Sequence, residues 1–165
     1  MTYPLATAEL HHEVELVVAL AGGGSDVPAD RCRDLIFGYS VGVDFTRRDL
    51  QRMAKSSARP WDMAKGFDQS APCSAIVSAA DVGHPRAGSI GLSVNGDTRQ
   101  AADLSDLTWS PEETLAHLSG LVELTPGDLV FTGTPAGVGP VMPGDTYRAW
   151  VQGVGEVCGE IVARR

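Results

Sequence analysis

Cysteine is scarce in this 165-residue chain: Cys32, Cys73 and Cys158 are odd in number and far apart. That spacing excludes both a disulfide framework and a CxxC zinc site, and the three read as reduced thiols. Positive charge is also short, with 13 Lys and Arg against 21 Asp and Glu and a net charge of -8. Such a balance opposes binding to polyphosphate backbones or anionic membranes, so no nucleic-acid or membrane partner is expected. No stretch approaches the roughly 18 apolar residues of a membrane span. The opening MTYPLATAELHHEVEL shows no basic stretch followed by an apolar one, and a cytoplasmic location is expected. Several catalytic signatures are missing too: HExxH, the GxSxG elbow, GxxxxGK[ST] and GxGxxG.

What is present is a 43% apolar chain of ordinary charge content, sized for one domain over residues 1–165. Glycine (19) and proline (10) recur at short intervals, which favours many short strands joined by turns and a mixed, mainly β fold. Glu13 to Leu20 reads as a strand bounded by Gly22-Gly23-Gly24, and Gly38 to Phe45 as another. Between them, Ser25 or Asp26 can cap a short helix with Pro28 in its first turn and Leu35 and Ile36 on it. Thr46 looks like the N-cap of a helix over RRDLQRMAK. SIGLSV, the Asn95-Gly96 turn and DTRQ spell a hairpin. Ser110-Pro111-Glu112-Glu113 carries a capping box with proline at the first helical position, so a helix should run from Pro111 to Ser119 and end at Gly120. DLVFTGT, TYRAWVQG and EVCGEIVA are strand-like.

Glu13 and Glu15 lie two apart, so a strand pleat points both carboxylates to one face. They form either a solvated edge or, with Asp44 at the end of the next strand, an all-oxygen site for a hard divalent ion, Mg2+ or Mn2+ and possibly Ca2+. Arg47 and Arg48 open a helix and suit either an anion or the neighbouring Asp44 and Asp49. Lys65, between Met63-Ala64 and Gly66-Phe67, either snorkels outward or aims at a negative ligand. TGTPAGVG (Thr132 to Gly139) clusters amides and hydroxyls without forming a nucleotide loop. His11, His12, His84 and His117 show no metal spacing.

In this order, HHEVELVVAL, GYSVGVDFTRRDLQ, RPWDMAKGFDQSAP, SVNGDTRQ, LTPGDLVFTGTPAGVG and PGD resemble the fumarylacetoacetate hydrolase family, from about Pro4 to the C-terminus. The resemblance implies a β-sandwich roll with a few short helices, and a homodimer. It also implies metal ligands at Glu13, Glu15 and Asp44, substrate contacts at Arg48 and Gln51, and catalytic roles for Lys65 and Thr134. Within the family the sequence looks most like the fumarylpyruvate hydrolases, which implies metal-dependent cleavage of a 2,4-dioxo acid to fumarate and pyruvate in aromatic degradation. Relatives with similar motifs decarboxylate oxaloacetate or isomerise and decarboxylate hydroxy-dienedioates. Members of this type usually carry an upstream stretch like NYxxHxxE that serves to activate water, and the sequence opens downstream of it. A decarboxylase, a tautomerase or a silent metal-binding protein are therefore the alternatives.

Overall fold

The computed structural model describes residues 1–164. Two strands, β1 (Leu10–His12) and β2 (Val14–Leu20), are separated by Glu13 alone. A short helix α1 (Ala29–Cys32) and a 3-10 turn (Arg33–Leu35) lead into β3 (Ile36–Val43), β4 (Thr46–Arg47) and the helices α2 (Arg48–Ser56) and α3 (Asp62–Lys65). Then come β5 (Val77–Ser78), α4 (Ala79–Val82) and the hairpin of β6 (Ser89–Val94) and β7 (Asp97–Asp103). A second 3-10 turn (Leu104–Asp106), α5 (Pro111–Ser119) and the strands β8 (Leu129–Phe131), β9 (Gly139–Val141), β10 (Thr146–Val151) and β11 (Gly155–Glu160) complete the chain.

All pairings among these strands are antiparallel, in sheets ordered β5-β3-β2-β8, β11-β10-β6-β7 and β4-β1-β9. The two four-stranded sheets pack face to face, β2 and β3 against β6, β10 and β11. One apolar cluster joins them through Leu16, Val18, Tyr39, Val41, Leu92 and Ala149. Every residue of β2 is buried. It is bonded on both edges and covered on both faces, which is why VELVVAL is nearly continuous in apolar side chains rather than alternating. Each fully buried leucine or valine contributes about 1.5–3 kcal/mol, enough for such a strand to hold one charged residue out of water. No helix among the described residues is long and apolar enough to cross a membrane.

The mainly β architecture agrees with the sequence, and α5 begins and ends where its capping box and Gly120 place it. The Asn95-Gly96 hairpin also forms, with both residues at positive φ (53° and 86°) as a type I′ turn requires. Three local expectations need correction. Glu13 is not within a strand: it is the joint between β1 and β2. Neither Ser25 nor Asp26 caps α1, because Asp26 sits at φ 50° with its N–H bonded to the Ser119 carbonyl, so the helix starts only after an extended Pro28 and Ile36 already belongs to β3. Thr46 is not an N-cap either, since β1 captures Thr46 and Arg47 as β4, pairing Leu10 with Arg47.

Candidate metal and substrate site

The break at Glu13 builds the site. Its carbonyl accepts the Asp44 N–H at 2.8 Å, which brings the end of β3 alongside and sets Asp44 next to the glutamates. One carboxylate oxygen from each of Glu13, Glu15 and Asp44 lies within 4.8 Å of the others. Glu13 and Glu15 are 8% and 4% exposed, so the solvated-edge reading does not hold.

Cations border the cluster on one side only. The Lys65 Nζ donates to Glu13 Oε2 at 2.7 Å and also to Asp44 Oδ2, so it aims inward rather than snorkelling. Arg48 binds Glu13 Oε1 through Nη2 and Gln51 Oε1 through Nη1 at 2.5 Å, which excludes the pairing with Asp44 or Asp49. Asp49 instead accepts from Thr7 and Ala8. Among the described residues Glu15 has no cation partner: it accepts the Gly133 N–H at 2.6 Å.

Titration follows this asymmetry. Burial pushes the Glu13 carboxyl up, yet Lys65 and Arg48 together more than reverse that and hold it below its ordinary value. Asp44 is raised by burial that Lys65 only partly offsets. Glu15 is raised to about 7, by burial first and then by the charges of Asp44 and Glu13. Three converging carboxylates, one of them reluctant to ionise, form a donor set of hard oxygens that fits a divalent cation such as Mg2+ or Mn2+.

Thr134 stands one step back. Gly133, at φ 102°, turns its amide to Glu15, and the Thr134 hydroxyl accepts from Gln100 Nε2 at 2.8 Å. Gln100, on β7 and fully buried, also donates to the Pro135 carbonyl at 2.9 Å. Gly137 permits this approach, because at φ 100° a Cβ there would sit 2.1 Å from the Arg99 carbonyl. Since Pro135 offers only an acceptor, the Gln100 amide orientation is fixed and its Oε1 faces the Val14 N–H (3.1 Å) and His12 Nδ1 (2.9 Å). His12 therefore carries its proton on Nδ1, and its buried Nε2 has no partner, in keeping with burial lowering its pKa.

Glu13, Glu15, Asp44, Lys65, Arg48 and Gln51 thus converge, with Thr134 joined through Gln100 and Gly133. One member, Gln100, escapes sequence reasoning; His11 stands out in the sequence as a titratable residue but with no assigned place. Gln100 lies in the DTRQ strand, where nothing but its polarity at a buried register marks it. His11 sits with Nδ1 3.4 Å from Arg48 Nε and Nε2 3.0 Å from Glu9, and burial followed by the Arg48 charge lowers its pKa.

The profile described as fumarylacetoacetate (FAA) hydrolase C-terminal matches residues 1–162. The chain belongs to the fumarylacetoacetate hydrolase family. It is 43% identical over 157 residues to a fumarylpyruvate hydrolase of Ralstonia sp, covering 95% of this chain and 81% of that one. A mitochondrial oxaloacetate tautomerase of Oryza sativa subsp. japonica is 36% identical over 162 residues, 98% of this chain and 72% of the relative. Among solved structures, the fumarylpyruvate hydrolase from Pseudomonas aeruginosa in complex with Mn2+ and pyruvate superposes with a TM-score of 0.97 at 45% identity, over 99% of this chain and 70% of that one. The family thus includes members named as hydrolase and as tautomerase, and one solved with a divalent metal.

Proposed function

We propose that the protein is a divalent-metal-dependent hydrolase of a 2,4-dioxo acid, with fumarylpyruvate as substrate and fumarate and pyruvate as products. The observation that carries this reading is the carboxylate triad with Lys65 set between two of its members. Resemblance to the Ralstonia and Pseudomonas enzymes favours the fumarylpyruvate choice.

Glu13, Glu15 and Asp44 would hold Mg2+ or Mn2+. A bound ion of this kind supplies Lewis-acid stabilisation to the enolate that leaves when the carbon–carbon bond breaks. The protein's own groups do the rest. Arg48, kept in register by Gln51, presents a guanidinium suited to a substrate carboxylate. Lys65 places a fixed positive charge beside the triad, where negative charge grows on the keto oxygen; removing such a donor typically costs about 2.7–4 kcal/mol in the transition state. Thr134 has its oxygen engaged by Gln100, which leaves its O–H free to donate to substrate. Overall, water adds to the distal carbonyl, the C–C bond breaks towards pyruvate, and a proton returns to the enolate carbon.

Three free cysteines, one of them buried, suit a reducing cytoplasm, and the family assignment favours a homodimer. The test follows the enol absorbance of fumarylpyruvate with Mg2+ or Mn2+, with EDTA and Glu13→Ala as controls, and oxaloacetate enol–keto conversion in parallel. Metal-dependent loss of fumarylpyruvate is the expected result. Conversion of oxaloacetate with fumarylpyruvate untouched would move the protein to the tautomerase branch, which the Oryza relative represents.

A further inference from the structure

Arg47 is buried (6% exposed), and among the described residues no carboxylate lies within ion-pair distance of it. Burying a guanidinium without an acid costs several kcal/mol, so what it touches instead is informative. Nη1 donates to the Leu5 carbonyl at 3.0 Å and Nη2 to the Met63 carbonyl at 2.5 Å. The guanidinium also lies over the Phe67 ring, 4.7 Å from its centroid. Its Nε has no partner.

Met63 and Phe67 are the residues two before and two after Lys65. The helix that carries Met63 and Lys65 needs outside support: α3 has four residues, no side-chain cap at Trp61, and only Ala64 buried. Met63 is 63% exposed and Trp61 43%. A single turn of this kind is unstable alone. Lysine also has a flexible four-carbon stem, so the place of its ammonium depends on where the backbone beneath it is fixed.

We propose that Arg47 is the positioning residue of Lys65, clamping the chain on both sides of it so that the ammonium stays on Glu13 and Asp44. Its catalytic consequence rests on the role given to Lys65 above; the clamp itself does not. Arg47 touches none of the triad oxygens and acts only through the segment it grips.

The chain contains two lysines, Lys55 and Lys65, so amine labelling can be read site by site. Trinitrobenzenesulfonate labelling of the metal-free protein, read by peptide mass spectrometry, compares wild type with Arg47→Met. The rate of labelling at Lys65 should rise by about threefold or more as α3 opens locally, and Lys55, whose ammonium lies over the Trp61 ring 4.0 Å from its centroid, can rise with it. In turnover, kcat should fall roughly 10–100-fold with KM within about threefold, as expected for a misplaced charge rather than lost binding. Adding Arg47→Met to Lys65→Met should cost nothing further, because both remove the same contribution. Arg47→Lys, which keeps the charge and one carbonyl partner, should fall between and carries the comparison if Arg47→Met does not fold. An unchanged labelling rate at Lys65, or a rise that only tracks a loss of global stability in chemical denaturation, would overturn the clamp. A wild-type protein that turns over neither substrate would sink the functional reading and leave the labelling result to decide the clamp alone.

Discussion

Two buried sites among the described residues set carboxylates against two cations, and they differ in their arithmetic of charge. At the candidate metal and substrate site, Lys65 and Arg48 face three acids, and Glu15 is left with a single amide. Beside α5, Glu112 stands alone against Arg33 and Arg86, whose guanidinium groups donate to the same Oε1 at 2.9 and 2.8 Å. Burial pushes the Glu112 carboxyl up, but its own backbone amide and the two arginines hold it below its ordinary value. Glu112 is thus content as a carboxylate and ties the 3-10 turn at Arg33 and the segment at Arg86 to α5. The triad is not content until something positive joins it. Surplus like charge, held in place by a rigid strand, separates a binding site from a clamp.

The comparison breaks most visibly at Glu15. Glu15→Gln keeps an acceptor for the Gly133 amide but removes a metal ligand, so Mn2+ binding measured by calorimetry should be lost and turnover should fall by about 10³-fold or more. The same variant should make the metal-free protein more stable at pH 8. Because the native carboxyl is raised to about 7, its cost to folding is absent well below the ordinary 4.5, grows as pH rises from there, and is complete above 7. The gain in Tm should therefore be present at pH 8 and nearly gone at pH 4.5; an equal gain at both would disprove the charge argument. In wild type, Mn2+ affinity should tighten as pH rises through about 7, since binding displaces that proton.

At the other cluster the effects reverse. Glu112→Gln should leave turnover unchanged and lower Tm by a few degrees, about 1–2 kcal/mol, because two arginines lose an ionised acceptor. Loss of activity in step with Glu15→Gln would erase the distinction between the clusters. Arg86→Met alone should cost less than about 1 kcal/mol in chemical denaturation, since its side chain is 58% exposed and Arg33 remains on the same oxygen.

Local chemistry that needs only neighbours is legible in the sequence. The α5 capping box and the Asn95-Gly96 turn each depend on residues within a few positions and form as expected, whereas Glu13 and Glu15 come together with Asp44 through a break in the strand rather than through its pleat. Lys65 was harder, because its apolar, glycine-flanked surroundings suit an outward ammonium as well as an inward one. Only the long-range placement of α3 against β4 and α2, which carries Lys65 to Glu13 and Asp44, decides between them. The family motifs point to Lys65 as a site residue without reference to its geometry. Gln100 was out of reach for the same reason: its four hydrogen bonds join segments from His12 to Pro135, and no pattern inside DTRQ encodes them. Thr46 shows the converse failure, a sound cap residue overruled by a strand that needed a partner.

The break at Glu13 leaves the Val14 amide to be met by a glutamine from the opposite sheet, so one side chain stands in for a missing stretch of ladder. That substitution makes Gln100 a built-in reporter. Its two amide protons sit on Thr134 and Pro135 while its oxygen sits on His12 and Val14, the residues on either side of Glu13. In a 15N-correlated NMR spectrum this side-chain pair should resonate apart from the solvent-exposed amides and shift when the triad takes up a diamagnetic ion such as Mg2+. It offers a view of site occupancy from a residue that never touches the metal.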